Sequence, residues 1–167
     1  GYTIAGETYG GIEGKQLPPK EFYRLLREGN VCHTFQVTAE QAKPSVEASF
    51  KAGRDVVIVT FSSALSGTAS SFTIAANELM EKYPARKAFI VDSLGGSLGE
   101  GMLLEYLVKK ADAGASIEEV YAYGDWLRHR IAYLFTVDDL DCLRRGGRIS
   151  GAVAVVGKLL KIKPLLH

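Results

Sequence analysis

The segment from Ser62 to Thr68 carries the side chains best suited to bind a ligand. Its sequence is Ser62-Ser63-Ala64-Leu65-Ser66-Gly67-Thr68. The segment follows an apolar run and precedes a helical pattern, so its hydroxyls would join the unpaired N–H groups and partial positive charge of a helix N-terminus. We therefore predict an anion-binding loop in which Gly67 lets the backbone approach the ligand. A polar helix cap without a ligand is the alternative interpretation.

Covalent chemistry at this loop has weaker support. Ala64 stands where a G-x-S-x-G nucleophile elbow around Ser66 requires its first glycine, and no G-x-x-x-x-G-K-[ST] phosphate-binding motif occurs. The spacing of the histidines, His33, His129 and His167, places none of them beside Ser66. We predict no catalytic residue. An enzyme that acts on a small phosphorylated or keto substrate, with Ser66 or Asp92 catalytic, stays open as the alternative function.

Other polar residues could complete the site. Thr34 and Gln36 precede a helix start at Thr38 and could add donors to the same anion, although such residues are more often turn or capping groups. Asp92 and Ser93 end a second predicted strand, where an aspartate can orient hydroxyls or cap a turn.

A compact basic turn follows later, with the sequence Arg144-Arg145-Gly146-Gly147-Arg148. Its arginines can form forked hydrogen bonds to a carboxylate or phosphate, or can dock an acidic protein partner. The next segment, 152–160, is rich in small and apolar residues. We predict a helix there that either lines a long apolar tunnel or packs in an ordinary core.

Composition narrows the class of protein. The chain has 167 residues, 47% of them hydrophobic and 23% charged, with a net charge of +1, so we expect one globular domain and no nucleic-acid partner. Apolar runs are too short for a membrane span, and no signal peptide is evident. Cys32 and Cys142 lack metal-ligand spacing, which predicts two buried free thiols in a reducing cytoplasm and no metal site. We expect no cofactor.

Alternating helices and strands must position these residues. The β-branched run 56–61 is typical of a strand buried on both faces of a parallel sheet. Ala42, Val46 and Phe50 would face inward on the helix that a capping box opens at Thr38. Together the patterns predict an α/β layered fold with a largely parallel central sheet and flanking helices, in which ligands bind beyond the carboxyl ends of the strands. The expected strands are 56–61, 87–91, 133–137 and a last one after 160, with weaker strand character at 2–5; the expected helices begin at Pro18, Thr38, after Thr68, after Gly96, at Ser116, at Asp139 and at Ala152.

Five of these motifs, in this order, closely resemble the DegV family, which includes the fatty-acid-binding subunits of bacterial fatty acid kinase. The motifs are Thr34-Phe35-Gln36, Ser62 to Thr68, Val91-Asp92-Ser93, Val137-Asp138-Asp139-Leu140, and Gly146 to Ser150 followed by Leu160-Lys161-Ile162-Lys163-Pro164. The resemblance covers most of the chain and implies the DegV-like fold.

The resemblance implies a non-enzymatic carrier that holds one long-chain fatty acid in a buried tunnel, while a separate fatty acid kinase catalytic subunit phosphorylates it. It implies Thr34 and Ser63 as the first carboxylate contacts, with Arg148 near the headgroup or on the kinase-facing surface. Support would come from the remaining site residues: Ser62, Ser66, Gly67, Thr68, Gln36, Asp92 and Ser93.

This chain also departs from the family pattern. Phe35 and Val37 replace a serine and a proline of the family's Thr-Ser-Gln-Pro motif, so we expect Phe35 to fill space near the headgroup. We expect residues 1–167 to form a DegV-like lipid-binding domain that is truncated at both ends. The family's opening strand and its C-terminal domain, which closes the tunnel and supplies a histidine, would lie outside this chain.

Overall fold

The computed structural model describes residues 1–10, 14–137, 140–150 and 165–166. Residues 38–135 form one compact unit together with 165–166, and the described residues of 1–37 and 136–150 form another. A short 3-10 helix, Arg128–Arg130, follows the fifth α-helix. The elements in chain order are β1 (Tyr2–Ile4), β2 (Glu7–Tyr9), α1 (Pro19–Arg27), β3 (His33–Thr34), α2 (Ala39–Lys51), β4 (Val56–Thr60), α3 (Thr68–Lys82), β5 (Ala88–Asp92), α4 (Ser97–Asp112), α5 (Ile117–Leu127), β6 (Phe135–Thr136), α6 (Asp141–Arg145) and β7 (Leu165–Leu166).

A parallel pair of strands lies at the centre of the larger unit. β4 and β5 run side by side from Val56 opposite Ala88 to Thr60 opposite Asp92. Helices α2 and α3 pack on one face, with Val46 and Phe50 in the core, and α4 and α5 pack on the other. Because successive strand side chains point to opposite faces, the strands contribute to both cores. The predicted α/β class, with helices flanking a small parallel sheet, is confirmed.

The strand predicted at 56–61 is less buried than expected. β4 ends at Thr60, and its first four side chains are only partly buried. Within the described residues β4 pairs with β5 alone, so one of its edges has no neighbouring strand. A strand with one neighbour cannot be covered as completely as a central strand.

Two helix starts follow the predicted capping boxes. The Thr38 hydroxyl accepts a hydrogen bond from the Gln41 N–H group, and the Gln41 side chain accepts one from the Thr38 N–H group. Ser116 and Glu119 form the same reciprocal pair at the start of α5. These bonds satisfy N–H groups that a helix cannot pair internally, which fixes both starts locally.

The other unit contains an antiparallel sheet with the strand order β2-β1-β3. Only a weak strand at 2–5 was predicted there. A two-residue loop joins β1 to β2, and both of its residues have positive φ, 50° at Ala5 and 78° at Gly6. That geometry belongs to tight hairpin turns. Tyr2 of β1 contacts Phe22 of α1 with ring centroids 5.2 Å apart.

The predicted third strand of the parallel sheet is also wrong. Instead of 133–137, only Phe135–Thr136 is extended, and this strand pairs with β7 rather than with β4 or β5. The expected short helix is present as α6, although it begins at Asp141. Asp138, Asp139, the predicted helix 152–160 with its tunnel lining, the segment 160–164 and His167 lie outside the described residues.

Neither cysteine forms a disulfide, and the two are not both buried as predicted. Cys32 is partly buried, and burial raises the pKa of its thiol. Cys142 is exposed, because it lies on α6, a helix of five residues that buries none of its side chains. Among the described helices, none is long and apolar enough to cross a membrane.

Leu103 and Leu104 provide a matched test of the α4 core. Leu103 is 0% exposed and Leu104 is 48% exposed. Leu103→Ala should lower the free energy of unfolding by about 2–5 kcal/mol, because it leaves a cavity between α4, α5 and β5. Leu104→Ala should change it by less than about 1 kcal/mol. Urea unfolding measures both, and equal losses would contradict the assigned inner face of α4.

Gly99 and Gly101 test the packing of Tyr133 on the same helix. A Cβ atom on Gly99 would lie 2.3 Å from the Tyr133 ring, whereas one on Gly101 would meet nothing within 4 Å. Gly101→Ala should stabilise the protein by up to about 1 kcal/mol through helix propensity. Gly99→Ala should instead destabilise it by about 1–3 kcal/mol, because the ring must move. Thermal unfolding of the two variants decides, and a stabilised Gly99→Ala would refute this packing.

Candidate ligand-binding site

Two loops meet where β4 and β5 end. Because the strands are parallel, the loop after Thr60 and the loop after Asp92 emerge at the same edge of the sheet. The backbone joins them directly: the Ser93 N–H group donates to the Thr60 carbonyl at 3.0 Å, and the Ser62 N–H group donates to the Gly95 carbonyl at 2.8 Å. This is the sheet edge at which α/β folds bind ligands.

Ser62 organises the serine loop from within. It is 5% exposed. Its carbonyl accepts hydrogen bonds from the N–H groups of Leu65 and Ser66, each at 3.0 Å. Its hydroxyl accepts one from the Ala64 N–H group at 3.3 Å. Ser62 therefore fixes the path of the loop.

Asp92 ties this loop to the end of β5. One carboxylate oxygen accepts from the N–H groups of Ser63 at 3.2 Å and Leu94 at 3.0 Å. The other accepts from the Ser63 hydroxyl at 2.5 Å. Burial by itself raises the pKa of Asp92, but these hydrogen bonds and the charge of Arg128 outweigh it and leave the pKa below its ordinary value. Asp92 is thus an ionised acceptor that orients Ser63.

Ser93 is enclosed, with 0% of its surface exposed. Its hydroxyl donates to the Gly95 carbonyl at 3.1 Å and accepts from the Gly95 N–H group at 3.3 Å. The Tyr133 hydroxyl donates to the Ser93 carbonyl at 2.9 Å. The observed role of Ser93 is to hold the second loop, since its surface is not open to a ligand.

Ser66 and Thr68 form a second hydroxyl pair at the start of α3. Their oxygens are 2.9 Å apart, and the Thr68 N–H group also donates to the Ser66 hydroxyl at 3.3 Å. Whichever hydroxyl donates within the pair, the other keeps a proton for a further partner. Both residues are half-buried, and Gly67 caps the helix without a side-chain hydrogen bond. The exposed Ser63 and this pair are therefore the accessible hydroxyls of the loop.

The predicted residues Thr34, Gln36 and Arg148 belong to the other compact unit. Thr34 ends β3 and is exposed, and so is Gln36. Arg148 is exposed beyond α6, and its guanidinium donates to the Gly146 carbonyl at 2.5 Å. These three residues and the serine loop therefore lie in different units. Phe35, expected near the headgroup, is 42% exposed.

The structure adds residues that the sequence did not single out. Tyr133 was predicted only as the start of a strand, yet its ring excludes a Cβ atom at Gly95, with 2.2 Å between them. Arg128 donates to the Asp92 carbonyl at 3.4 Å and pairs with Asp125 at 2.8 Å. No local pattern marks their contacts with Ser93 and Asp92, because these contacts join segments far apart in the chain.

Within the described residues, no histidine is hydrogen-bonded to a hydroxyl of the loop, and the carboxylate that accepts from one of these hydroxyls is Asp92, at Ser63. The Ser66 hydroxyl is bonded to Thr68, and no imidazole is hydrogen-bonded to it. The same part of the chain contains no group of three or more His, Cys, Asp or Glu residues arranged to hold a metal ion. The arrangement can bind and orient a polar group through hydroxyls and N–H groups.

Known proteins with similar sequences carry the same domain. The family model described as "Uncharacterised protein, DegV family" matches residues 3–167. A DegV domain-containing protein of Clostridium perfringens is 43% identical over 152 residues, which cover 91% of this chain and 52% of that protein. One from Lactococcus lactis is 37% identical over 98% of this chain and 57% of its own length. The chain thus spans about half the length of these relatives.

Solved structures agree. A fatty-acid-binding DegV family protein from Thermus thermophilus is 32% identical, with a TM-score of 0.79 over 99% of this chain and 57% of its own. The Streptococcus pneumoniae fatty acid kinase B3 protein, loaded with linoleic acid, is 25% identical, with a TM-score of 0.80 over 98% of this chain and 57% of its own. From the family match, the sequence identity and the shared fold, this chain belongs to the DegV family.

Proposed function

We propose that this chain forms the headgroup side of a fatty-acid-binding protein. The acyl chain of a long-chain fatty acid would occupy an apolar tunnel, and its carboxyl group would lie against the Ser62 to Thr68 loop. The observation that carries the proposal is the set of accessible hydroxyls at the carboxyl end of β4, those of Ser63, Ser66 and Thr68. Related DegV proteins that bind fatty acids support it.

Binding would draw its free energy mainly from the acyl chain. Each buried methylene contributes about 0.8 kcal/mol, so a long chain outweighs the net value of a few hydrogen bonds at the headgroup. The hydroxyls would then fix the orientation of the ligand and the position of its carboxyl group. This division of roles suits a carrier, which must hold the carboxyl group of a mostly apolar ligand at one fixed position.

The site residues would divide into two groups. Ser63, Ser66 and Thr68 would contact the carboxyl group, while the buried or bonded residues Ser62, Asp92 and Ser93 would hold the loops in place. Thr34 and Gln36, which belong to the other unit, stay predicted ligand contacts, and we propose that Arg148 lies on the surface that meets the kinase partner. The remaining length of full-length relatives would supply the opposite wall of the tunnel.

The partner would be the catalytic subunit of a fatty acid kinase. The fatty acid kinase B3 relative from Streptococcus pneumoniae supports this role. Asp92 is the carboxylate beside a loop hydroxyl, and its lowered pKa makes it a weak base, so phosphoryl transfer would belong to the partner and this chain would need no cofactor. We place the protein in the cytoplasm, where such a kinase would find its ATP.

Replacing Ser63 tests the headgroup site. Ser63→Ala should weaken binding of palmitic acid by about 3- to 10-fold, which corresponds to one net hydrogen bond. It should also lower the yield of acyl phosphate when a fatty acid kinase catalytic subunit and ATP are added. Titration calorimetry and product mass spectrometry on the full-length protein measure the two effects.

Ser45→Ala is the matched control. Ser45 is exposed on α2, and its hydroxyl donates to the Ala42 carbonyl rather than to any residue of the serine loop. This variant should bind palmitic acid like the unmodified protein. Equal binding by Ser63→Ala and the unmodified protein, or native mass spectra without any co-purified fatty acid, would contradict the proposed function.

A further inference from the structure

The hydrogen bonds of Asp92 determine what Ser63 can offer to a ligand. The carboxylate of Asp92 accepts three hydrogen bonds, two from N–H groups and one from the Ser63 hydroxyl. A neutral Asp92 would have to place its own proton among these donors. The two N–H donors on one oxygen, the close Ser63 hydroxyl on the other and the lowered pKa together favour the ionised form.

Ser63 has one hydroxyl proton, and that proton is directed at Asp92 over 2.5 Å. Only the lone pairs of its oxygen remain for a ligand. An ionised carboxylate headgroup brings only lone pairs as well, so it cannot form a hydrogen bond with Ser63 in this state. A protonated carboxyl group can, because it has an O–H donor.

The charge of Asp92 also favours a protonated headgroup. Only the Ser63 hydroxyl would separate the Asp92 carboxylate from a carboxyl group bound at Ser63, so a charged headgroup would be repelled. The loop from Ser62 to Thr68 contains no cationic residue that could offset this repulsion. Arg128 faces Asp92 from the end of α5, but its guanidinium is also paired with Asp125 at 2.8 Å.

From α4, Glu100 adds a further acidic group beside Tyr133, and Tyr133 itself donates to the Ser93 carbonyl. Burial raises the pKa of Glu100. Full burial raises the pKa of a carboxyl group by up to about 3–5 units and a neighbouring like charge also raises it, so a fatty acid enclosed beside Asp92 would stay neutral at pH 7.

The second hydroxyl pair fits a neutral acid as well. Ser66 and Thr68 share one hydrogen bond and keep one proton between them. That proton can be donated to the carbonyl oxygen of the ligand. A protonated carboxyl group would thus donate to Ser63 and accept from the Ser66–Thr68 pair. An ionised carboxylate could accept from the pair but could not donate to Ser63.

We propose that this site binds the fatty acid in its neutral, protonated form, with Asp92 as the positioning residue that fixes Ser63 as a hydrogen-bond acceptor. The proposal rests on the proposed fatty-acid binding and specifies the chemical state of the ligand. It also separates two roles within the motif: Ser63 touches the ligand, and Asp92 acts through Ser63.

Carbon-13 NMR of [1-13C]palmitic acid bound to the full-length protein tests this directly. The bound carboxyl resonance should keep the chemical shift of a neutral acid at pH 7 and move to that of a carboxylate only at higher pH. A bound resonance at the carboxylate position at pH 7 would overturn the inference and leave fatty-acid binding intact. The absence of any bound resonance would refute both.

Asp92→Asn should reverse the direction of the hydrogen bond between residue 92 and the Ser63 hydroxyl. The amide oxygen would still accept from the N–H groups of Ser63 and Leu94, so the amide N–H₂ would donate to the Ser63 hydroxyl oxygen. Ser63 could then donate its proton to an ionised carboxylate. The bound resonance of this variant should therefore shift to the carboxylate position at pH 7, and an unchanged neutral resonance would remove Asp92 from the explanation.

Glu81→Gln is the matched control, because it removes the same charge from an exposed position near the far end of α3. Its bound resonance should equal that of the unmodified protein. If Asp92→Asn does not fold, the pH titration of the unmodified protein decides alone.

Uncharged ligands provide an independent test on the unmodified protein. 1-Hexadecanol has a hydroxyl that can donate to Ser63, whereas methyl palmitate has no donor. The alcohol should displace bound [1-13C]palmitic acid, and the ester should do so at least about 5-fold less well, the equivalent of one hydrogen bond. Equal or better displacement by the ester would overturn the acceptor role of Ser63.

Discussion

The hydrogen bonds between Asp92 and Ser63 are the constraint on which the candidate site depends. They join the loop after β4 to the end of β5, across 29 positions of sequence. With Asp92 accepting at both oxygens, the serine loop has its path fixed at the point where it leaves the sheet. The hydroxyls that would meet a ligand are thereby held in place before any ligand arrives, which reduces the entropy lost on binding.

The parallel pairing of β4 and β5 makes this interaction possible. Thr60 and Asp92 stand opposite each other in the register, so their loops begin side by side. Two helices on each face hold the strands through separate cores, and Leu103 and Val91 are almost fully buried in one of them. The two cores thus pack against the strands from whose ends the polar loops emerge.

Packing around the second loop adds another constraint. The Tyr133 ring lies against Gly95 and Gly99, and its hydroxyl reaches the Ser93 carbonyl. A side chain at either glycine would displace the ring. The small residues of this loop are therefore required by an aromatic side chain that is distant in sequence, and the loop in turn holds Asp92 through the Leu94 N–H group.

Local patterns were sufficient for much of the fold. The capping boxes at Thr38 and Ser116, the inward residues of α2 and the strand character of the β-branched run follow from short-range rules, and the structure confirms them. Such features depend on hydrogen bonds and side-chain periodicity within a few residues. The family motifs likewise could be recognised from the sequence, and the family is confirmed.

Other features depended on contacts between distant segments. The sequence alone did not show that Phe135–Thr136 would pair with β7 instead of joining the parallel sheet. Nor did it show that Cys142 would be exposed, or that β4 would have one partner among the described strands. It predicted Ser63 and Asp92 as site residues but not the direction of the hydrogen bond between them. The direction follows from the folded geometry, because only there do three donors converge on one carboxylate and leave Ser63 its lone pairs.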